Sequence, residues 1–292
     1  MSSTVTAGIR TSSPQRRATR LGALWTQKHC CARNYSTLAG RGRGANAVGA
    51  SVVGVKDDDR LYFRQLLSGR DHAQGDGLAA QMVNFSYLVG DRSTSEVVVV
   101  DPTYSVDDIL AVANADGMNL VGVLATHHHP DHVGGSMMGH SIEGLAHLLE
   151  KVSVPVHANA NEVMSICRVT GLDPGDVVGH HGGDQVTVGE VEVELLHTPG
   201  HTPGSQCFLV DGRLVAGDTL FLSGCGRTDL PGGDPDAMYD SLRRLAGLAD
   251  TTVLYPGHRY SPASAATMAA VKETNPVLMA SGKPSWLATF GG

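Results

Sequence analysis

The sequence predicts an α+β fold, and three observations carry that prediction. Short β-branched or alternating apolar runs recur along the chain. Amphipathic helical stretches separate several of them. Strand after strand ends in a histidine or an aspartate, usually beside glycine or proline. At 292 residues, with 41% apolar and 17% charged residues, the chain has ample material for a large core. No apolar stretch approaches the ~20 residues of a membrane-spanning helix, so no membrane association is expected.

The domain organisation is read from charge. Residues 1–56 hold nine basic residues and no acidic one, and are rich in Ser, Thr, Ala and Gly. That is the composition of an organelle transit peptide, and Arg33-Asn34-Tyr35-Ser36 looks like a mitochondrial processing site. A mitochondrial matrix location follows as an expectation, with the folded domain spanning 57–292. That remainder carries 13 basic against 29 acidic residues, a formal −16, which disfavours nucleic acid as a partner. The five cysteines are odd in number and scattered, which argues against a disulfide scaffold.

Taken in order, Leu61–Leu67 reads as the first strand and Ser68–Ala80 as a loop. Val83–Val89 alternates as a half-buried strand does, and Glu96–Val100 is a buried β-branched run. Ser105 caps a helix with two acids in its first turn and Gly117 after its end. The strand Leu120–Ala125 follows. A helix is expected over Ser141–Leu149, a short strand over Val154–His157, and a helix from Glu162 to Thr170. Gln185–Val188 pairs with Val191–Leu196 as one hairpin, and Ser205–Val210 with Arg213–Ala216 as another, turned at Asp211-Gly212. Asp234-Pro235 opens a helix through Leu248, Thr252–Tyr255 is the last clear strand, and a helix over Ala263–Glu273 closes the fold.

The chemistry concentrates where the strands end. Thr126-His127-His128-His129-Pro130-Asp131-His132 puts four histidines and an aspartate into a loop directly after a buried strand. His201, Asp218 and His258 follow later strands in the same way. If those strands share a sheet edge, the side chains gather at one place. His127, His129 and His201 supply three nitrogens for one zinc-like ion with an open position. Asp131, His132, His258 and a bridging Asp218 would hold a second. Such donors suit zinc, iron and manganese alike. Two divalent ions sharing a hydroxide would run metal-assisted hydrolysis without a protein nucleophile, with Asp131 both ligating and orienting the water. His128, lying between ligands, should point away. His197 reads as structural, His180 and His181 as exposed, and Cys225 as a thiol lining the site.

The series T-H-H-H-P-D-H, T-P-G-H-T-P-G-S, G-D-T-L-F and Y-P-G-H resembles that of the metallo-β-lactamase superfamily, from Leu61 to Asn275. The resemblance implies a four-layer αββα sandwich with metals at one edge, and it matches the ligand roles given above. It also implies that Asp101 orders the metal-binding loop without ligating. Gly224-Cys-Gly-Arg227-Thr-Asp229 looks like the glyoxalase II and persulfide dioxygenase branch, whose members act on glutathione derivatives. By that resemblance Arg227 and Tyr260 are candidates for gripping glutathione, with a structural salt bridge from Arg227 to Asp229 as an equal alternative. Glyoxalase II has a C-terminal helical domain for which the 34 residues after His258 leave no room. The expectation is an S-acylglutathione thioesterase. The alternative is a mononuclear-iron persulfide dioxygenase that uses His127, His201 and Asp218.

Overall fold

The first half of the chain builds one sheet and the second half another. The computed structural model describes residues 60–291; the expected leader over 1–56 lies outside the described residues. Strand β1 (Leu61–Leu67) is followed by helix α1 (Gly77–Met82), which falls partly in the stretch read as a loop. The Asp76 carboxylate accepts from the Leu78 and Ala79 amides and so starts a helix too short to show a period in sequence. Val83 ends that helix in the left-handed region (φ 50°), so β2 (Phe85–Asp91) starts two residues later than expected. Strand β3 (Glu96–Val100) and helix α2 (Val106–Ala115) stand where predicted, with the Ser105 hydroxyl capping α2.

Strand β4 (Asn119–Leu124) runs parallel to β3 and empties into the histidine loop, which ends in the short helix α3 (Pro130–Val133). A small hairpin of β5 (Gly135–Met137) and β6 (His140–Ile142) comes next. The helix expected over Ser141–Leu149 therefore starts only at α4 (Leu145–Lys151). The reason is steric. A Cβ at Gly144 would stand 2.3 Å from the Val133 carbonyl, so this glycine is a close crossing and not a helical residue. Strand β7 (Val156–Asn159), helix α5 (Val163–Thr170) and edge strand β8 (Val177–His180) complete the first sheet, in the order β1-β2-β3-β4-β7-β8.

The second sheet takes β9 (Gln185–Val188), β10 (Val191–His197), β11 (Gln206–Val210) and β12 (Arg213–Val215) as successive antiparallel neighbours. Helix α6 (Pro235–Ala246) then crosses to β13 (Val253–Tyr255), which lies parallel to β12. Edge strand β14 (Ala266–Thr267) takes up the start of the helix expected at 263–273. Ala266 and Thr267 pair with β13, and the Thr267 hydroxyl caps α7 (Met268–Thr274). Short helices α8 (Pro276–Met279) and α9 (Lys283–Phe290) follow.

Three cores make these elements four layers. Ile109 of α2, Leu148 of α4 and Ile166 of α5 pack on the outer face of the first sheet, over Leu88, Val97, Val99 and Val123. Between the sheets, Phe85, Tyr87, Val98 and Leu124 meet Val193, Leu195, Phe208 and Val215. Met238, Leu242 and Leu245 of α6, with Trp286 of α9, cover Leu214 and Leu254 on the far side. The alternation of faces along each strand dictates this αββα order, since both sheets are apolar on both sides.

The sheets are stitched together at one edge. The Gln206 amide donates to the Thr126 carbonyl at 3.0 Å, and Gln206 Nε2 to the Ala125 carbonyl at 2.9 Å. The Phe85 amide donates to the Gly257 carbonyl at 2.8 Å, and the Arg259 amide to the Val83 carbonyl at 2.9 Å. The ends of β4 and β13, with the starts of β2 and β11, are thereby held together.

Candidate metal centre

That stitched edge is where the candidate ligands collect. His127 and His129 follow β4, Asp131 and His132 lie on α3, His201 follows β10, Asp218 follows β12, and His258 follows β13. Donor atoms of His127, His129 and His201 lie within 4.8 Å of one another. So do those of Asp131, His132 and His258, and those of His127, His132 and Asp218. Asp218 stands between the first two trios. Its Oδ2 is 3.7 Å from His201 Nε2 and 3.3 Å from His258 Nε2, and its Oδ1 is 3.4 Å from His132 Nε2.

The protein sets the tautomer of four of these rings by occupying Nδ1. His201 Nδ1–H donates to the Arg227 carbonyl (2.7 Å), His258 Nδ1–H to the Met82 carbonyl (2.8 Å), and His132 Nδ1–H to Asp101 Oδ2 (2.8 Å). Thr126 Oγ1 donates to the other lone pair of Asp101 Oδ2 (2.7 Å), so it accepts from His127 Nδ1–H at 3.0 Å. Each Nε2 is then left aimed at the gap, where it can take a cation or a proton. His129 turns the other way and presents Nδ1.

These nitrogens face each other across the gap. His129 Nδ1 is 3.1 Å from His127 Nε2 and 2.9 Å from His201 Nε2, and His132 Nε2 is 3.2 Å from His258 Nε2. Asp218 Oδ1 is buried without a hydrogen-bond partner. Imidazole nitrogens crowded beside an orphaned carboxylate oxygen are stabilised by positive charge between them, so the donor set fits a pair of divalent cations.

Electrostatics divides the two halves. Burial, reinforced by neighbouring imidazoles, holds His127 well below the usual histidine range and pushes His129 down to about 3; burial also lowers His201. The first trio is thus neutral nitrogen. Burial opposes charge at His132 as well, but Asp218, Asp131 and Asp101 overcome it and raise the ring to about 10. His258 is raised by Asp218 and Asp131, again against burial. Asp218 itself is held far below the carboxylate range, its burial outweighed by His258 and His132. The potential that holds a proton at the second subsite would hold a cation there.

Asp101 sits beneath the loop. Its Oδ1 accepts the Thr126 amide at 2.8 Å, and its backbone is in the left-handed region (φ 50°), a conformation a non-glycine residue holds only when its surroundings fix it. Arg227, expected either at the substrate or in a salt bridge to Asp229, pairs bidentately with Asp229 at 2.8 and 2.7 Å. Tyr260 lies flat on His258, with centroids 4.8 Å apart and planes 5° apart, and is half exposed at the rim. Cys225 is buried among apolar side chains under α6. His197 Nε2 bonds the Pro203 carbonyl, and half-buried His180 pairs with His157 at 2.9 Å, so the expectation of an exposed His180 is corrected.

Two residues of the site went unread in the sequence. Asn84 Nδ2 donates to the Asp131 carbonyl (2.9 Å) and to Asp131 Oδ2 (3.2 Å), while its own Oδ1 accepts from the Tyr104 hydroxyl at 3.1 Å. Glu162 is 1% exposed, and it receives His128 together with Thr202 and Gly204. A glutamate before a helix reads only as a first-turn acid, and nothing local marks it.

Fold and site together define an αββα protein with adjoining groups of candidate metal ligands at its sheet edge. A model of the metallo-beta-lactamase superfamily matches residues 81–258, and the chain belongs to that superfamily. A hydroxyacylglutathione hydrolase of Rhodospirillum rubrum is 35% identical over 184 residues, covering 61% of this chain and 63% of its own. One of Rhodopseudomonas palustris is 36% identical over 223 residues, covering 71% and 79%. The chain thus spans less than two thirds of the first relative's length. ETHE1 from Myxococcus xanthus superposes with TM-score 0.64 at 30% identity, covering 79% of this chain and 90% of its own. TTHA1623, solved in a di-iron-bound form, gives 0.53 at 31% identity, covering 67% and 95%. Among the described residues no helix is long and apolar enough to cross a membrane.

Proposed function

We propose that the protein is a binuclear metal-dependent hydrolase that cleaves the thioester of an S-acylglutathione. The observation that carries this reading is the meeting of two donor trios at Asp218. The names of the hydrolase relatives support the substrate class. A bound ion pair would lower the pKa of water towards neutrality and draw charge from the thioester carbonyl. Zinc is the first choice; iron and manganese suit the same donors, and one similar structure holds two irons.

The chain's own groups do the rest. Asp131, its Oδ2 steered by Asn84, orients the water that attacks the carbonyl. Asp218 keeps the two subsites in register. The rim formed by Tyr260 and the Arg227–Asp229 pair receives the thiol-bearing portion. Protein loaded with zinc should turn over S-lactoylglutathione, and His129→Ala should reduce kcat/KM by at least about a hundredfold. No activity on several acyl-glutathiones overturns the reading. The alternative, a mononuclear-iron persulfide dioxygenase, draws on the closeness of Asp218 Oδ2 to His201 at 3.7 Å, with His127 completing the trio. One iron per chain and oxygen uptake on glutathione persulfide would select it.

The nine basic residues within 1–56 support a mitochondrial address. A fusion of residues 1–60 to a fluorescent protein should enter mitochondria. A diffuse cytosolic signal removes that part of the proposal.

A further inference from the structure

We infer that Glu162 is a positioning residue that clamps together the two loops carrying the first metal subsite; the inference rests on the metal-binding reading above. Its two carboxylate oxygens serve different loops. Oε2 accepts the His128 amide at 2.9 Å and the His128 ring Nδ1, and His128 lies between His127 and His129. Oε1 accepts the Thr202 hydroxyl and the Gly204 amide, each at 2.7 Å, in the loop that presents His201. One buried carboxylate thus fixes the distance between the His127–His129 pair and His201, the three donors of that subsite.

The fit is tight. A Cβ at Gly204 would lie 2.6 Å from Glu162 Cγ and 2.9 Å from Oε1, so only glycine lets the backbone reach the acid. Thr202 is locked in turn by Ser205, whose hydroxyl takes the Thr202 amide at 3.1 Å. The second subsite does not use this clamp. Asp131 is held by Asn84 and Thr103, His132 by Asp101, and His258 by the Met82 carbonyl. Asp101 braces both subsites, His132 directly and His127 through Thr126, but the Glu162 contacts reach only the loops of the first, so loss of Glu162 should separate their affinities.

Glu162→Gln tests this, because an amide keeps the shape but accepts at one end only. Whichever way it turns, one loop meets an N–H where it needs an acceptor. Full-length apoprotein is titrated with Co²⁺ and followed by visible absorption, and His129→Ala identifies the step that belongs to the first subsite. Glu162→Gln should weaken that step by about 10–100-fold and alter its spectrum, while the second step stays as in wild type. A merely structural role would weaken both steps together and leave the first-subsite spectrum unchanged. If wild type binds cobalt and Glu162→Gln binds it equally at both steps, the clamp is overturned while the metal reading stands. If wild type binds none, both fall. Should Glu162→Gln not fold, Thr202→Val keeps the charge and removes one donor. It should then weaken the first step by about fivefold, and no change there also overturns the clamp.

Discussion

Around Asp218 the decisive residues are those without side chains. A Cβ at Gly226 would stand 1.9 Å from the Asp218 carbonyl oxygen and 3.0 Å from His201 Cγ; one at Gly257 would stand 2.5 Å from Asp218 Oδ1. These glycines let two loops close over the carboxylate that stands between the two groups of candidate ligands. Gly226→Ala should therefore displace Asp218 and His201 together. The expected outcome is less than two ions per chain by elemental analysis and a fall in kcat/KM of about a hundredfold, the scale of a 1 Å misplacement. A variant with full metal content and wild-type kinetics would show that the loop has slack that its contacts deny. The sequence revealed the donors because they are locally dense: His127, His129, Asp131 and His132 fall within six positions. It hid the supports. Glu162 and Asn84 act on residues 34 to 47 positions away, and only the folded chain brings them there.

Elements were legible in proportion to how local their cause is. The cap at Ser105, the alternation in β10 and the Asp211-Gly212 turn are all written within a few residues. Strands β5, β6 and β14 exist because of a partner or a crossing, and their own residues do not announce it. Asp91, at the end of β2, shows how two elements are joined. It is fully buried, its Oδ1 accepts the Ser93 amide and hydroxyl, and its Oδ2 accepts the Glu190 amide at 2.7 Å, pinning the β9–β10 turn to the first sheet. Asp91→Ala should cost about 2–3 kcal/mol in urea unfolding at pH 7, since it removes three hydrogen bonds to a charged group, a class worth about 1.5–3 kcal/mol. Burial works to raise the Asp91 pKa, but the Ser93 and Glu190 hydrogen bonds outweigh it and the net shift is downward. Its stabilisation is therefore whole above the unfolded value of about 3.9 and is lost as the pH falls through the lower folded value. The gap between wild type and variant should hold from pH 7 to 5 and shrink only below about pH 4. A gap that closes by pH 5 would assign the stabilisation to some other group.

For the whole molecule, the metal edge is also the seam between the sheets. His258 joins β2 through the Asn84 bridge, while Gln206 ties β11 to the end of β4, so the cations would sit where the two halves meet. Binding there should stabilise the entire sandwich and not one loop. Each ion at a hundredfold excess over its Kd contributes about 2.7 kcal/mol. In a domain of this size that corresponds to roughly 5–10 °C in Tm. Removing both ions with a chelator should lower Tm by more than one such step, with a single cooperative transition retained and zinc restoring the original value. The two subsites need not contribute equally. A raised His132 lets a proton stand in for one cation in the apoprotein at neutral pH, whereas the first trio, held neutral, has no such substitute. Metal added to the first subsite should then produce the larger rise in Tm, measurable by comparing His129→Ala with His258→Ala on zinc titration. Equal rises in the two variants would mean that the negative potential around Asp218 extends over both subsites, and the division between a neutral and an anionic half would have to be given up.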